Sequence, residues 1–255
     1  MGVNAQIVCD FNISSRLVDF VCNGDTLLLG TARELYRGCM DGTTMMVANI
    51  SEPPLLSMTW SGHHGYLVSG NASNILSIGV GFGISRWIGR NVSDHLRQHT
   101  RKVSEPHVDI AMYNDTEVCL CASDINALYR ISSCDVQPVI HPSPSGYTVA
   151  SPIAYSKLSR PSSIAIFENE VLIADTGNHC VRLLDKNGIS TLYQDGSIVP
   201  YNTVCCRNLV YFVSNNDVYT CNRVGNRITR IYCGKGRILL ASSPDLLYIM
   251  EEQNA

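Results

Sequence analysis

Apolar runs about one strand long recur along the chain, each closing on a small knot of Gly, Asn, Asp or Ser. The clearest is NEVLIADTGN (169–178); it aligns with DTLLLGTARE (25–34), HGYLVSGNAS (64–73), TEVCLCASDI (116–125), NLVYFVSNND (208–217) and DLLYIMEEQN (245–254). The central residues of these runs are Leu29, Val68, Leu120, Ile173, Phe212 and Ile249, at spacings of 39, 52, 53, 39 and 37. Each run is preceded by another: RLVDFVC, PLLSMTW, HVDIAMY, SSIAIF, NTVCC and RILLASS. After the polar knot come two more, plainest in CVRLLD then ISTLYQ and in DVYTC then RITRIYC.

One repeat is therefore four short strands joined by tight turns. A four-stranded antiparallel sheet with two apolar faces is not stable alone, but sheets set radially bury those faces against each other, which makes a β-propeller. The expected fold is all-β, a single six-bladed propeller over 1–255. Its blades span about 12–48, 53–91, 106–141, 160–196, 200–235 and 236–255 plus 1–11, with insertions at 91–106 and 141–160. In the last repeat RILLASS and DLLYIM supply two strands, and AQIVCDF near the N-terminus is expected to close the ring as the outermost one. A third strand is missing there. Either that blade has three strands, or the N-terminal stretch does more, or the chain is a piece of a longer one.

The stretch RPSSIAIFENEVLIADTGNHCVRLLDKNG (160–188) resembles an NHL repeat. The resemblance rests on Pro161, the strands Ile164 to Phe167 and Val171 to Ala174, the knot Asp175 to His179, and then Val181 and Arg182. It covers about 30 residues, and the other repeats share only its strand rhythm. In the knot, Asp175 is expected to bond the turn backbone and Gly177 to supply a positive φ, with Asn178 tolerating the same region.

Composition narrows the function classes. Charged residues are 16% of the chain and apolar ones 45%, which excludes a disordered tail or a solvated helical rod. No run approaches the roughly 18 apolar residues of a helical membrane span, and Met1 to Asp10 lacks a secretory pattern, so a soluble protein is expected. The eleven cysteines contain no CxxC pair and sit mostly in apolar runs such as VCLCAS, which points away from zinc and toward a reducing, intracellular compartment.

The turns between second and third strands share one face of such a propeller with the connections between blades. They carry Glu34, Asp124, Asp175, Asp217, Glu251 and Glu252 against Arg33 alone, an acidic face suited to a basic partner surface. The candidate partner-binding residues there are Asp124, Asp175, Asn178, His179 and Asp217. Asp19 and Asp109 occupy equivalent places on innermost strands and are weak metal candidates; hydrogen bonding between neighbouring inner strands is the preferred reading. Calcium needs six to eight oxygens, and besides these two only Asn202 offers more, with Ser57, Ser163 and Leu239 at the other blades, so a lactonase-like hydrolase is the alternative. The seven histidines fall in turns or connections and do not align between blades, against the zinc site of an amidating lyase. GVGFG (79–83) is expected to join two strands of blade 2 rather than cradle phosphate.

The insertion NVSDHLRQHTRKVSEPH (91–107) concentrates Arg97, Arg101 and Lys102 in a chain of net charge −3. It is a candidate docking arm for an acidic protein, or for RNA as the disfavoured option. The Pro- and Ser-rich insertion from His141 carries Tyr147, Ile153 and Tyr155, which can pack on a partner or on neighbouring blades. No catalytic residue and no cofactor is expected; the function favoured is an interaction scaffold, a protein-binding subunit of a multisubunit assembly.

Overall fold

Strand formation follows the apolar runs. In the computed structural model, which describes residues 11, 13, 15–23, 26–39, 41–50, 54–61, 63–69, 74–88, 94, 107–150, 152–223, 228–243 and 245–252, six sheets follow one another along the chain. The first contains β1 (Leu17–Asn23), β2 (Thr26–Thr31), β3 (Glu34–Gly38) and β4 (Thr44–Asn49). The second contains β5 (Leu55–Trp60), β6 (His64–Ser69), β7 (Asn74–Gly79) and β8 (Ile84–Arg86). The third is β9 (Val108–Asn114), β10 (Glu117–Ala122), β11 (Ala127–Ser132) and β12 (Val136–Ile140). The fourth is β13 (Pro161–Phe167), β14 (Glu170–Asp175), β15 (Cys180–Asp185) and β16 (Gly188–Gln194). The fifth is β17 (Tyr201–Cys206), β18 (Leu209–Ser214), β19 (Asp217–Asn222) and β20 (Ile228–Cys233), and the sixth has β21 (Arg237–Ser242) and β22 (Leu247–Glu252).

Among the described residues this gives five four-stranded antiparallel sheets and one of two strands. Their first strands pack in a ring, β1 on β5, then β9, β13, β17 and β21, with β21 returning to β1. The fold is an all-β propeller. β2, β6, β10, β14 and β18 are buried from their second residue to their last, because each lies between neighbouring sheets on both faces. That explains why the sequence shows unbroken apolar runs there and not an alternation. Leu29, Val68, Ile173 and Phe212 at their centres are fully buried, each contributing about 2–3 kcal/mol of apolar transfer. The outer strands β4 and β20 each expose three of their six residues to solvent and fully bury none.

Arg237 fastens the ring at its closing joint. Its guanidinium donates to the carbonyls of Leu17 at 2.7 Å and Val18 at 3.1 Å, while Glu252 accepts from the Leu17 N–H at 3.1 Å. Leu239 and Ala241 join Phe20, Leu28 and Met58 in one core cluster, against which Phe11, Ile13, Tyr248 and Met250 pack. The expected closing strand from the N-terminus lies outside the described residues except for Phe11. GVGFG lies in the β7–β8 hairpin, with Phe82 at φ 59°. His64 is the first residue of β6 and so departs from the expected placement of all histidines in connections. No helix among the described residues is long and apolar enough to cross a membrane.

Candidate functional site: the axial channel and the turn face

The inner strands leave backbone N–H groups facing the joints between sheets, and each needs an acceptor. A side chain near the start of one strand accepts from the next strand around the ring. Asp19 Oδ2 takes the Met58 N–H at 2.9 Å, Ser57 Oγ that of Ile110 at 3.3 Å, and Asp109 Oδ2 that of Ile164 at 2.8 Å. Ser163 Oγ takes the Thr203 N–H at 2.9 Å, and Asn202 Oδ1 that of Leu240. Leu239 has no acceptor to offer Phe20, and the Phe20 N–H is met instead by Asp19 Oδ1, at 2.8 Å. The leucine in the sixth sheet thus accounts for a two-oxygen side chain in the first.

Ser57 also bridges the two acids, donating to Asp109 Oδ1 at 2.6 Å and lying 3.2 Å from Asp19 Oδ2. Asp19 and Asp109 line an axial channel of about 410 Å³, whose wall also includes Trp60 and Tyr113. Burial, and then the neighbouring Asp109, push the Asp19 carboxyl up to about 7; burial also raises Asp109. All four carboxylate oxygens carry hydrogen bonds, three of them to a neighbouring sheet. Among the described residues no group of three or more His, Cys, Asp and Glu is placed to hold a metal ion.

The turn face differs from the expected acidic surface. Asp175 is fully buried: Oδ1 accepts from the Ser159 N–H at 2.7 Å, and Oδ2 accepts from Asn178 at 2.8 Å and from Arg182 at 3.4 Å. Asn178 Nδ2 also donates to the Gly146 carbonyl at 2.8 Å. Asp175 therefore offers no exposed oxygen to a partner, and Asn178 has its side-chain nitrogen committed to internal bonds. His179, at φ 54°, holds the Ile198 carbonyl 2.6 Å from Nδ1, which places a proton on that nitrogen.

One local expectation changes. The left-handed residue of the turn is His179, not Gly177. Glycine stands at 177 because a Cβ there would lie 2.7 Å from the Ser159 carbonyl oxygen. The β10–β11 turn repeats this geometry with another sequence: a single 3-10 turn, Ser123–Ile125, is followed by left-handed Asn126, just as Thr176–Asn178 precedes His179.

The other acids are internally engaged as well. Asp124 accepts from the His107 N–H at 2.9 Å, Asp217 from Arg230 at 2.9 Å, and Glu34 from Tyr36 at 2.9 Å. Glu251 accepts from Tyr232 at 2.5 Å and Glu252 from Arg237 at 3.2 Å. The hydrogen bond from Arg230 holds Asp217 below the usual carboxylate range, and that from Tyr232 lowers Glu251.

Arg97, Arg101 and Lys102 lie outside the described residues. The second insertion is a strap across the third and fourth sheets, pinned by a Thr148–Lys157 bridge and the Ile153–Tyr155 turn. Tyr147 and Tyr155 are exposed on it, Tyr155 at 66%. Sequence reasoning missed Arg182 and Thr203 as site residues. For Thr203 the signal was register: it pairs with Phe212 as Ser163 pairs with Ile173's neighbour Ala174, one residue beyond a bulge. No disulfide links the cysteines among the described residues, and burial raises most of their thiols, Cys119 up to about 12.

Residues 158–182 match the family model of the NHL repeat. No curated protein matches the chain by sequence. Among solved structures, a chain of a nidogen/laminin complex is similar with a TM-score of 0.64 at 8% identity, covering 86% of this chain and 81% of that one. A streptogramin B lyase gives 0.64 at 11% identity, covering 96% and 87%. The virginiamycin B lyase of Staphylococcus aureus gives 0.61 at 14% identity, with the same coverage of 96% and 87%. At such identities the likeness is one of fold.

Proposed function

We propose that this chain is a non-catalytic interaction scaffold, a six-bladed propeller whose two-stranded sheet is an incomplete last blade, working as a protein-binding subunit of a larger intracellular assembly. The observation that carries this reading is the strap: Tyr147, Val149 and Tyr155 are 47%, 58% and 66% exposed on a segment fastened to a rigid ring. Large apolar side chains held in water on a fixed support suit a partner surface. The arm bearing Arg97, Arg101 and Lys102 is a second contact in this proposal, directed at an acidic protein.

The metal-dependent hydrolase alternative would have to recruit Asp19 and Asp109 away from the backbone N–H groups they serve. The test is affinity purification from the native cell with the unaltered chain and with a Tyr147→Ser, Tyr155→Ser variant. A protein that co-purifies with the first and is lost from the second supports the scaffold. A chain that emerges alone, carries calcium in metal analysis and turns over esters or lactones overturns it.

A further inference from the structure

Arg182 is fully buried, yet only one of its three nitrogens is satisfied. Nη1 donates to the Lys157 carbonyl at 3.0 Å and to Asp175 Oδ2 at 3.4 Å. Among the described residues Nε and Nη2 have no hydrogen-bond partner. Buried charged donors without acceptors are expensive and call for an occupant. These two nitrogens lie on the same edge of the guanidinium, where their N–H bonds run parallel and match the two oxygens of one oxyanion.

The strap controls this position. Lys157 supplies the carbonyl on Nη1, Gly146 is held by Asn178, and the Tyr147 ring lies with its centroid 4.9 Å from Arg182 Cζ. Tyr147 is itself 47% exposed, and its hydroxyl is tethered by one exposed hydrogen bond, to Thr191 Oγ1 at 2.8 Å. Outward rotation of that single side chain is the opening that access to the guanidinium would require.

We propose that the free edge of Arg182, beneath Tyr147, is a binding site for a carboxylate. The ring over the guanidinium selects planarity: a carboxylate lies in the plane of the fork and under the ring, whereas the out-of-plane oxygens of a phosphate meet the ring face. Asp175 already shares the charge of Arg182, and burial raises its carboxyl, so it can take up a proton and keep the occupied site from gaining net charge. The site does not depend on the scaffold reading, since a free small acid fills it as well as an acidic side chain of a partner.

The test follows the Arg182 Nε–H resonance in the full, nitrogen-15-labelled chain, assigned through its own backbone. Sodium acetate is titrated against sodium chloride at equal ionic strength, and then inorganic phosphate. A saturable downfield shift with acetate, absent with chloride and weaker with phosphate, is expected. Tyr147→Ala, a change at an exposed position, should lower the acetate concentration needed for half the shift. No acetate response in either protein overturns the proposal. So does an Nε–H contact to a slowly exchanging water that acetate leaves in place, or an equal response to phosphate.

Discussion

The β14–β15 turn buries one aspartate and the axial channel half-buries two, and they compensate them by different means. Asp175 faces a cation, Arg182, within a stretch of eight residues, and its bonds fix one turn and the strap above it. Asp19 and Asp109 face backbone N–H groups on neighbouring sheets, 39 and 55 residues away in sequence, together with one serine between them. The first arrangement is local and carries a specific sequence motif. The second is global, and chemically different residues serve it around the ring: Asp, Ser, Asp, Ser and Asn all supply an oxygen, while Leu239 supplies none. A motif marks the place where a charge must be matched by one particular partner; a ring of N–H groups accepts any side chain with an oxygen in reach.

Removing the acid of the first pair should have the largest effect. Asp175→Ala leaves Arg182 buried with no counter-charge and deprives Ser159 of its acceptor, a loss of about 3–5 kcal/mol. Urea unfolding would measure it, and a loss near that of an ordinary surface substitution would place the Arg182 charge elsewhere.

In the channel, Asp19→Leu orphans the Phe20 and Met58 N–H groups and should cost about 2–4 kcal/mol, whereas Asp19→Asn keeps an acceptor and should cost less. The same residue sets a pH dependence. Its folded carboxyl lies at about 7 against an ordinary 3.8, so the native state binds the proton more tightly than the unfolded chain does. Its contribution is complete below about 3.8, declines as pH rises toward 7, and is level above. Unfolding midpoints across that window should fall with rising pH, and Asp19→Asn should flatten the slope; an unchanged slope would remove Asp19 as its source.

The smallest effect separates an acceptor in use from one that is idle. Among the described residues Thr203 Oγ1 is buried with no partner, the acceptor role that Ser163 Oγ fills in the fourth sheet falling in the fifth to its neighbour Asn202. Thr203→Val should be neutral or stabilise by up to about 1 kcal/mol, whereas Ser163→Ala should cost about 1–2 kcal/mol. Equal losses in thermal unfolding would show the two hydroxyls to be equivalent.

Strands were readable because their causes are local. Runs such as VLIAD and LVYFV are apolar without alternation since both faces meet another sheet, and the turns between them use residues suited to tight reversal. The internal partners of the turn-face acids were not legible in the sequence. Asp217 meets Arg230 across a hairpin, Asp175 meets Arg182 on the neighbouring strand, and Asp124 meets the His107 backbone before β9. Tyr147 and Tyr155 were identifiable as strap residues, yet that one covers a guanidinium and the other stands in solvent depended on where the strap crosses.

The amino-acid order alone determined the repeated sheets, their radial packing and the one motif-bearing turn, because hydrophobic burial and turn geometry act over a few residues. The tertiary structure alone decided which polar groups became internal fasteners and which stayed available. A hydrogen bond or ion pair depends on the distance between atoms brought together by ring closure, and residues 38 to 55 apart in sequence carry no local mark of that meeting.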